Sequence, residues 1–169
     1  GELGDLYQIT TSRQGPFPAR ISDVGVVKDL ATHDIDLTGW LADSTYAVVA
    51  AQVTKISGRP HEDMVVASGL LANGVIVNHV VNWLSPRKDR QTIVTGERGA
   101  LVADTASGDL TFYANGMIPL EWDMVANFRG VSEGDGTRYA FAKREPLRVE
   151  QEQFRDAVLS GDTSSVVTM

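Results

Sequence analysis

Asp29, His33 and Asp36 stand four and three residues apart, with Trp40 four further on. On an α-helix, side chains three or four apart lie one above the other. The spacing therefore puts a carboxylate, an imidazole and a second carboxylate along one stripe. A carboxylate one turn before a histidine fixes the imidazole tautomer and stabilises its protonated form, as a general acid/base requires. An Asp and a His so spaced also occur as an ordinary helix-surface pair worth roughly 0.2–0.5 kcal/mol. The same trio offers ligand types that suit a metal ion, so a metal-dependent hydrolase built on Asp29, His33 and Asp36 is a competing reading.

The element that must carry these groups is residues 25–41, GVVKDLATHDIDLTGWL, with no Pro and only two Gly. Val26, Leu30, Leu37 and Leu41 form an apolar stripe beside the polar one. A helix is expected here, burying one edge and presenting Asp29, His33 and Asp36 along the border of the buried face. Elsewhere, Arg87, Lys88 and Arg90 follow Asn82-Trp83-Leu84-Ser85-Pro86 as the basic cluster of an acidic chain. They read either as solvated charges at a strand end or as a rim that attracts anions. Arg13 and Arg20 flank a loop of residues 14–18 punctuated by Gly15, Pro16 and Pro18. His61 reads as exposed, and His79, on an apolar strand face, as a satisfied core or interface residue. No G-x-G-x-x-G follows a strand, and neither a Walker A sequence nor a G-x-S-x-G elbow occurs. Gly130, Gly134 and Gly136 have the wrong spacing for a phosphate cradle and read as a mobile loop.

The chain's 169 residues suffice for one domain with a real core. A hydrophobic share of 43% and a charged share of 22% are ordinary for a globular protein. No apolar run approaches the length of a membrane span, and no signal-peptide pattern opens the chain. Without cysteine there are no disulfides, thiolate metal sites or thiol nucleophiles, which suits a reducing cytoplasm. A net charge of −7 argues against wholesale nucleic-acid binding.

Strands are expected at 6–13, 45–56, 63–72, 75–84, 92–95, 100–103 and 110–114, with a further one at 137–143. Asn73-Gly74 between two β-prone runs signals a hairpin of type I′. A second helix over 146–160 opens with Pro146 and stops at Gly161. This order implies an α+β fold, an open and predominantly antiparallel sheet with helices on one face. Residues 75–84 are apolar on both sides: Val75, Val77, Val81 and Trp83 on one, Ile76, Val80 and Leu84 on the other. A half-wet antiparallel sheet should show polar residues there. The second face is therefore expected to be covered by another copy, as a homodimer or homotetramer.

Residues 25–41 resemble the first C-terminal-domain helix of the Gfo/Idh/MocA family, with its Gly-rich entry, Asp, His, Asp and Trp-Leu close. Here these are Gly25, Asp29, His33, Asp36, Trp40 and Leu41. Glu2-Leu3-Gly4 is similar to the element that opens this domain in the family, and residues 82–99 are similar to the family's sugar-nucleotide branch. The resemblance covers nearly all of residues 1–167. It implies the substrate-binding and oligomerisation domain of a two-domain oxidoreductase. The N-terminal Rossmann domain, absent from this chain, would hold NAD or NADP. His33 would exchange the proton of a ring hydroxyl on a sugar, nucleotide sugar or cyclitol, and Asp29 would orient His33. The resemblance places Arg13, Arg20, Asp36, Trp83 and Lys88 against substrate. The family's Glu-Lys-Pro motif is absent, so this chain alone is expected to be inactive. A non-enzymatic homo-oligomerisation module is the alternative from another class.

Overall fold

The computed structural model describes residues 1–21, 23–116, 132–164 and 166. Two units divide the chain, Gly1–Tyr139 and Ala140–Met169. The first is built on an eight-stranded sheet: β1 (Leu6–Pro16), β2 (Tyr46–Thr54), β3 (Met64–Leu71), β4 (Ile76–Asn82), β5 (Leu84–Gly96), β6 (Gly99–Asp104), β7 (Asp109–Gly116) and β8 (Ser132–Tyr139). Their spatial order is β2-β3-β4-β1-β5-β6-β7-β8. The β1–β4 pair is parallel and every other pair antiparallel. Between β1 and β2 runs α1 (Thr32–Ala42), entered through a π-helical turn over Val27–Ala31.

That turn decides which way the helix faces. The Thr32 backbone N–H reaches back five residues to the Val27 carbonyl, one residue wider than an α-helical bond. The inward side becomes Val26, Ala31, Asp34, Thr38 and Ala42. Leu30, Leu37 and Leu41 are only half-buried, while His33 and Asp36 are exposed. The uniform wheel expected from sequence is thus corrected: Asp34 turns in, and the stripe of His33 and Asp36 turns out. The helix ends with Asp43 at φ 46°. The N–H of Ser44 bonds the Gly39 carbonyl at 3.1 Å and that of Asp43 the Trp40 carbonyl at 3.2 Å, which is a Schellman stop.

Alternation in β1 and β4 points Ile9, Thr11, Val77, His79 and Val81 toward the helix. Two apolar clusters result. Ile21, Val26, Ala31, Val65, Val81 and Trp83 form one; Ile9, Ala42, Leu71, Val75 and Val77 form the other. Between them lies a buried polar layer of Thr11, Asp34, Thr38 and His79. The opposite sheet face leaves Val48, Val66, Leu70, Ile76 and Tyr113 exposed in a single chain.

Three local expectations change. The strand expected at 75–84 stops at Asn82, whose Oδ1 accepts the Leu84 and Ser85 N–H groups, each at 3.0 Å. The chain crosses the end of β1 there and returns as β5. β5 pairs with β1 from Leu6↔Gly96 to Pro16↔Leu84, so Arg87, Lys88 and Arg90 lie within a strand and not after one. The Asn73-Gly74 hairpin forms with a three-residue loop. Gly74 has φ 90°, Asn73 has no positive φ, and the Leu71 N–H donates to the Val75 carbonyl at 2.9 Å. Gly134 and Gly136 belong to β8. A side chain at Gly134 would meet the Ala114 carbonyl oxygen, so close strand pairing requires glycine there. Gly130 lies outside the described residues.

The second unit contains α2 (Pro146–Ser160), as expected. The Glu145 carboxylate caps it by accepting the Leu147 and Arg148 N–H groups. Gly161 ends it at φ 75°.

Candidate functional site

The polar layer begins with Arg13 on β1. Its Nε donates to Asp34 Oδ1 at 2.8 Å, and its Nη2 lies 2.7 Å from the same oxygen. Asp34 is 1% exposed, and its second oxygen, Oδ2, is buried with no hydrogen-bond partner. A carboxylate so buried is tolerated only with a cation against it. Arg90 stands directly across from Arg13 in the β1–β5 ladder. Its Nη1 donates to the Gln14 and Asp89 carbonyls at 3.1 and 3.0 Å. Burial pushes the Arg90 guanidinium downward, as does Arg13, while Asp34, Asp89 and Asp29 offset part of that.

A chain of hydroxyls and one imidazole continues from there. Thr38 Oγ1 lies 3.0 Å from the Asp34 and Ile35 carbonyls. Carbonyls only accept, so the Thr38 proton is committed to them. At the 2.6 Å contact between Thr38 and Tyr46, Tyr46 therefore donates. The Tyr46 oxygen must then accept from His79 Nε2 at 2.9 Å. Neutral His79 is thus the Nε2–H tautomer, and its Nδ1 accepts from Thr11 Oγ1 at 2.8 Å. Burial pushes the His79 imidazole down, partly offset by Asp34. The Tyr46 phenol is pushed up by burial; its bond to Thr38 works against this and Asp34 adds to it. Gly69 makes room for the ring, because an added Cβ would lie 3.0 Å from both Tyr46 Cε1 and Val77 Cγ2.

The residues singled out from sequence are distributed as follows. Asp29 is half-buried in the π-helical turn and lies in the electrostatic field of Arg90. Among the described residues no side-chain hydrogen bond joins it to His33. His33 and Asp36 are exposed on the outer side of α1, beside Trp40, which is 76% exposed. Arg20 and Lys88 are exposed. Trp83 is a core residue: its ring meets Phe17 edge-on at 5.4 Å, and the Arg59 guanidinium lies over both rings. That ring is committed to packing. Among the described residues no three His, Asp or Glu side chains gather closely enough to hold a metal ion.

Sequence reasoning passed over Asp34, Thr38 and Tyr46. Asp34 had no distinguishing signal, because only the π-helical turn brings it inward. Tyr46 carried a weak one, a Tyr opening a strand that, Gln52 apart, is made of small and β-branched residues.

The family model described as the GFO/IDH/MocA C-terminal domain matches residues 1–102. No curated protein compared with the chain matches it. UDP-N-acetylglucosamine 3-dehydrogenase GnnA from Acidithiobacillus ferrooxidans is similar in structure, with a TM-score of 0.78 and 24% identity over 94% of this chain and 48% of that one. An oxidoreductase from Agrobacterium radiobacter, in complex with NAD+, L-tartaric acid and magnesium, has a TM-score of 0.68 and 16% identity over 98% of this chain and 50% of its own. The WlbA dehydrogenase from Bordetella pertussis, in complex with NADH and UDP-GlcNAcA, has a TM-score of 0.55 and 21% identity over 62% and 34%. The chain thus spans about half the length of the first two. With the π-helical entry, α1 and the strands β1 to β5 all inside the matched residues, this chain belongs to the GFO/IDH/MocA C-terminal domain family.

Proposed function

We propose that the chain is the substrate-binding and self-associating domain of an NAD(P)-dependent oxidoreductase acting on a ring hydroxyl of a sugar, nucleotide sugar or cyclitol. The observation that carries this reading is the stripe His33, Asp36 and Trp40. It is exposed on α1 while the other side of the helix is anchored by Asp34 and Thr38. An imidazole beside a largely uncovered tryptophan supports reading this surface as one that the full protein covers. The covering body in this reading is a nucleotide-binding domain. UDP-sugars in the names of two fold relatives support a sugar-nucleotide substrate, and the NADH and NAD+ complexes of two relatives support the cofactor.

The described residues include no dinucleotide cradle. The crossover after β1 enters its helix through Gly25-Val26-Val27, without the Gly-rich turn that cradles a pyrophosphate. The nicotinamide would be held by the other domain, and when bound it supplies the hydride acceptor. This chain's part is the proton. As the substrate C–H bond breaks and the carbonyl forms, the hydroxyl proton passes to His33, and it returns in the reverse direction. Asp29, one turn earlier, orients that imidazole once the site is closed, since catalytic hydrogen bonds often tighten only in the complex. Asp36, with Arg20 and Lys88, lines the substrate side. A metal-dependent hydrolase is not favoured, because Asp29, His33 and Asp36 do not converge. A pure assembly module is disfavoured by the exposure of His33.

The test is His33→Asn in the full-length protein. We expect kcat to fall by roughly 10²–10⁴-fold, the usual contribution of a general acid/base, with cofactor affinity nearly unchanged. Asp29→Asn should cost less. Wild-type turnover by His33→Asn across the pH range would sink the assignment.

A further inference from the structure

Arg13 and Arg90 are cross-strand partners on the helix side of the sheet. Like charges directly opposite one another are destabilising. Arg13 is compensated, because both its Nε and its Nη2 engage Asp34. Asp34, Asp89 and Asp29 act on Arg90 through space, but among the described residues none of them is in ion-pair contact with it. Only its Nη1 finds acceptors, and both are backbone carbonyls. Its other guanidinium nitrogens are neither bonded within the chain nor buried. Arg87 and Lys88, exposed on the same strand, add positive potential. A planar guanidinium, half-buried and held through Nη1 by two carbonyls, has Nε and Nη2 left to donate to an anion's oxygens.

We infer that Arg90, and not Arg13, is the binding residue for an anionic group of the substrate, a phosphate or a carboxylate, on the helix side of the sheet within the electrostatic reach of Asp29. The inference rests on the substrate-site reading above and gives Arg13 a different task. Arg13 neutralises Asp34 and holds the helix, so its charge is already spent.

The experiment uses the full-length protein loaded with its nicotinamide cofactor. UDP and glucuronate, the diphosphate and the carboxylate sources, are titrated separately by calorimetry. Wild type is expected to bind one of them, and that one identifies the group. Arg90→Gln should weaken it at least about ten-fold, the loss of charge-assisted hydrogen bonds, and should flatten the salt dependence. Arg90→Lys, which keeps the charge but loses the fork, should weaken it less; it carries the test alone if circular dichroism shows Arg90→Gln to be unfolded. Affinities within about two-fold of wild type in the folded variants, or a wild type that binds neither probe, would overturn the inference. If sugar turnover is then still abolished by His33→Asn, the oxidoreductase reading stands without it. Arg90-dependent probe binding beside turnover indifferent to His33→Asn would fail the catalytic assignment and keep Arg90.

Discussion

Arg13 on β1 and Asp34 on α1 meet through a single oxygen: Nε at 2.8 Å and Nη2 at 2.7 Å both address Oδ1, and Oδ2 is buried without a partner. The pair ties the helix to the centre of the sheet across the gap between two apolar clusters. Arg13 keeps 22% of its side-chain surface in solvent and Asp34 only 2%, so the two ends differ in what they lose when cut. Arg13→Gln leaves a buried carboxylate without its cation and should destabilise by about 3 kcal/mol. Asp34→Asn leaves an Arg that can still reach water and should cost less. Urea unfolding of both single variants and the double variant closes the cycle. A coupling near zero would show that the contact contributes nothing.

The direction of the buried hydrogen-bond chain is open to measurement. Thr38 gives its proton to helix carbonyls, Tyr46 to Thr38, and His79 Nε2–H to Tyr46. Nitrogen-15 NMR at neutral pH should find His79 as the Nε2–H tautomer. Tyr46→Phe removes the acceptor of that N–H and should cost about 1–3 kcal/mol, the penalty for an unsatisfied buried donor. If Tyr46→Phe is neutral, water replaces the phenol and the chain is not continuous.

The same histidine sets a pH window. Burial lowers the His79 pKa in the fold, with Asp34 opposing, while in the unfolded chain it lies near about 6.5. Between those two values the unfolded chain binds a proton that the folded one does not. Stability is therefore full above about pH 6.5 and falls as pH drops toward the folded value. Replacing His79 with Gln should flatten the slope of unfolding free energy in that interval. For Asp63, burial alone would raise the carboxyl, but hydrogen bonds from Ser57 and Ile56 reverse this and hold it below the usual range. Its stability is present above about pH 3.9 and is lost only as pH falls further, so the two windows separate.

Much of this fold is legible from local pattern, and the site is legible only in part. Strands such as β3 and helix α2 announce themselves through β-branched runs and through Pro146 and Gly161, because burial and turn geometry act on neighbours in sequence. β5 is hidden at its start: Arg87, Lys88, Asp89 and Arg90 have no strand pattern, and it is the ladder to β1, remote in sequence, that extends them. The straight wheel departs from the structure at one turn. A straight α-helical wheel sends Asp29 and His33 to a common face. One π-helical turn moves the register by a residue, and Asp34, of the same chemical type as Asp29 and Asp36, becomes the buried partner of Arg13. His79 is read as a satisfied core histidine from the apolar face around it, and it is one. Its partners, Thr11 and Tyr46, lie on other strands and carry no local mark.

Gly69 connects packing to that network. A Cβ there would stand 3.0 Å from Tyr46 Cε1 and from Val77 Cγ2, tighter than ordinary van der Waals contact. Gly69→Ala should push the Tyr46 ring off His79 and cost about 1–3 kcal/mol as overpacking. Pairing it with Tyr46→Phe tells the two effects apart. If Gly69→Ala acts by breaking the Tyr46–His79 bond, its cost shrinks in the Tyr46→Phe background. If it acts through Val77, the costs add.

The bare sheet face carries the last prediction. Val66, Leu70 and Ile76 project from adjacent strands β3 and β4 and are exposed, with Val48 of β2 beside Leu70 in the ladder. Ala50, Ser68 and Asn78 leave a shallow trough among them. Contiguous apolar area of this kind on one sheet face is seldom left in water. A second copy is the occupant proposed here, since the same face on two chains is self-complementary about a two-fold axis. At micromolar concentration, ultracentrifugation should find a dimer or tetramer. Val66→Glu or Ile76→Lys, placing a charge at the centre of the patch, should shift it to monomer while circular dichroism stays that of the folded chain. Ile76 is the sharper probe, since it stands at the β1–β4 pairing, opposite Gln8, near the middle of the sheet. A wild-type monomer at every concentration tested would mean that this face is covered by something other than a second copy.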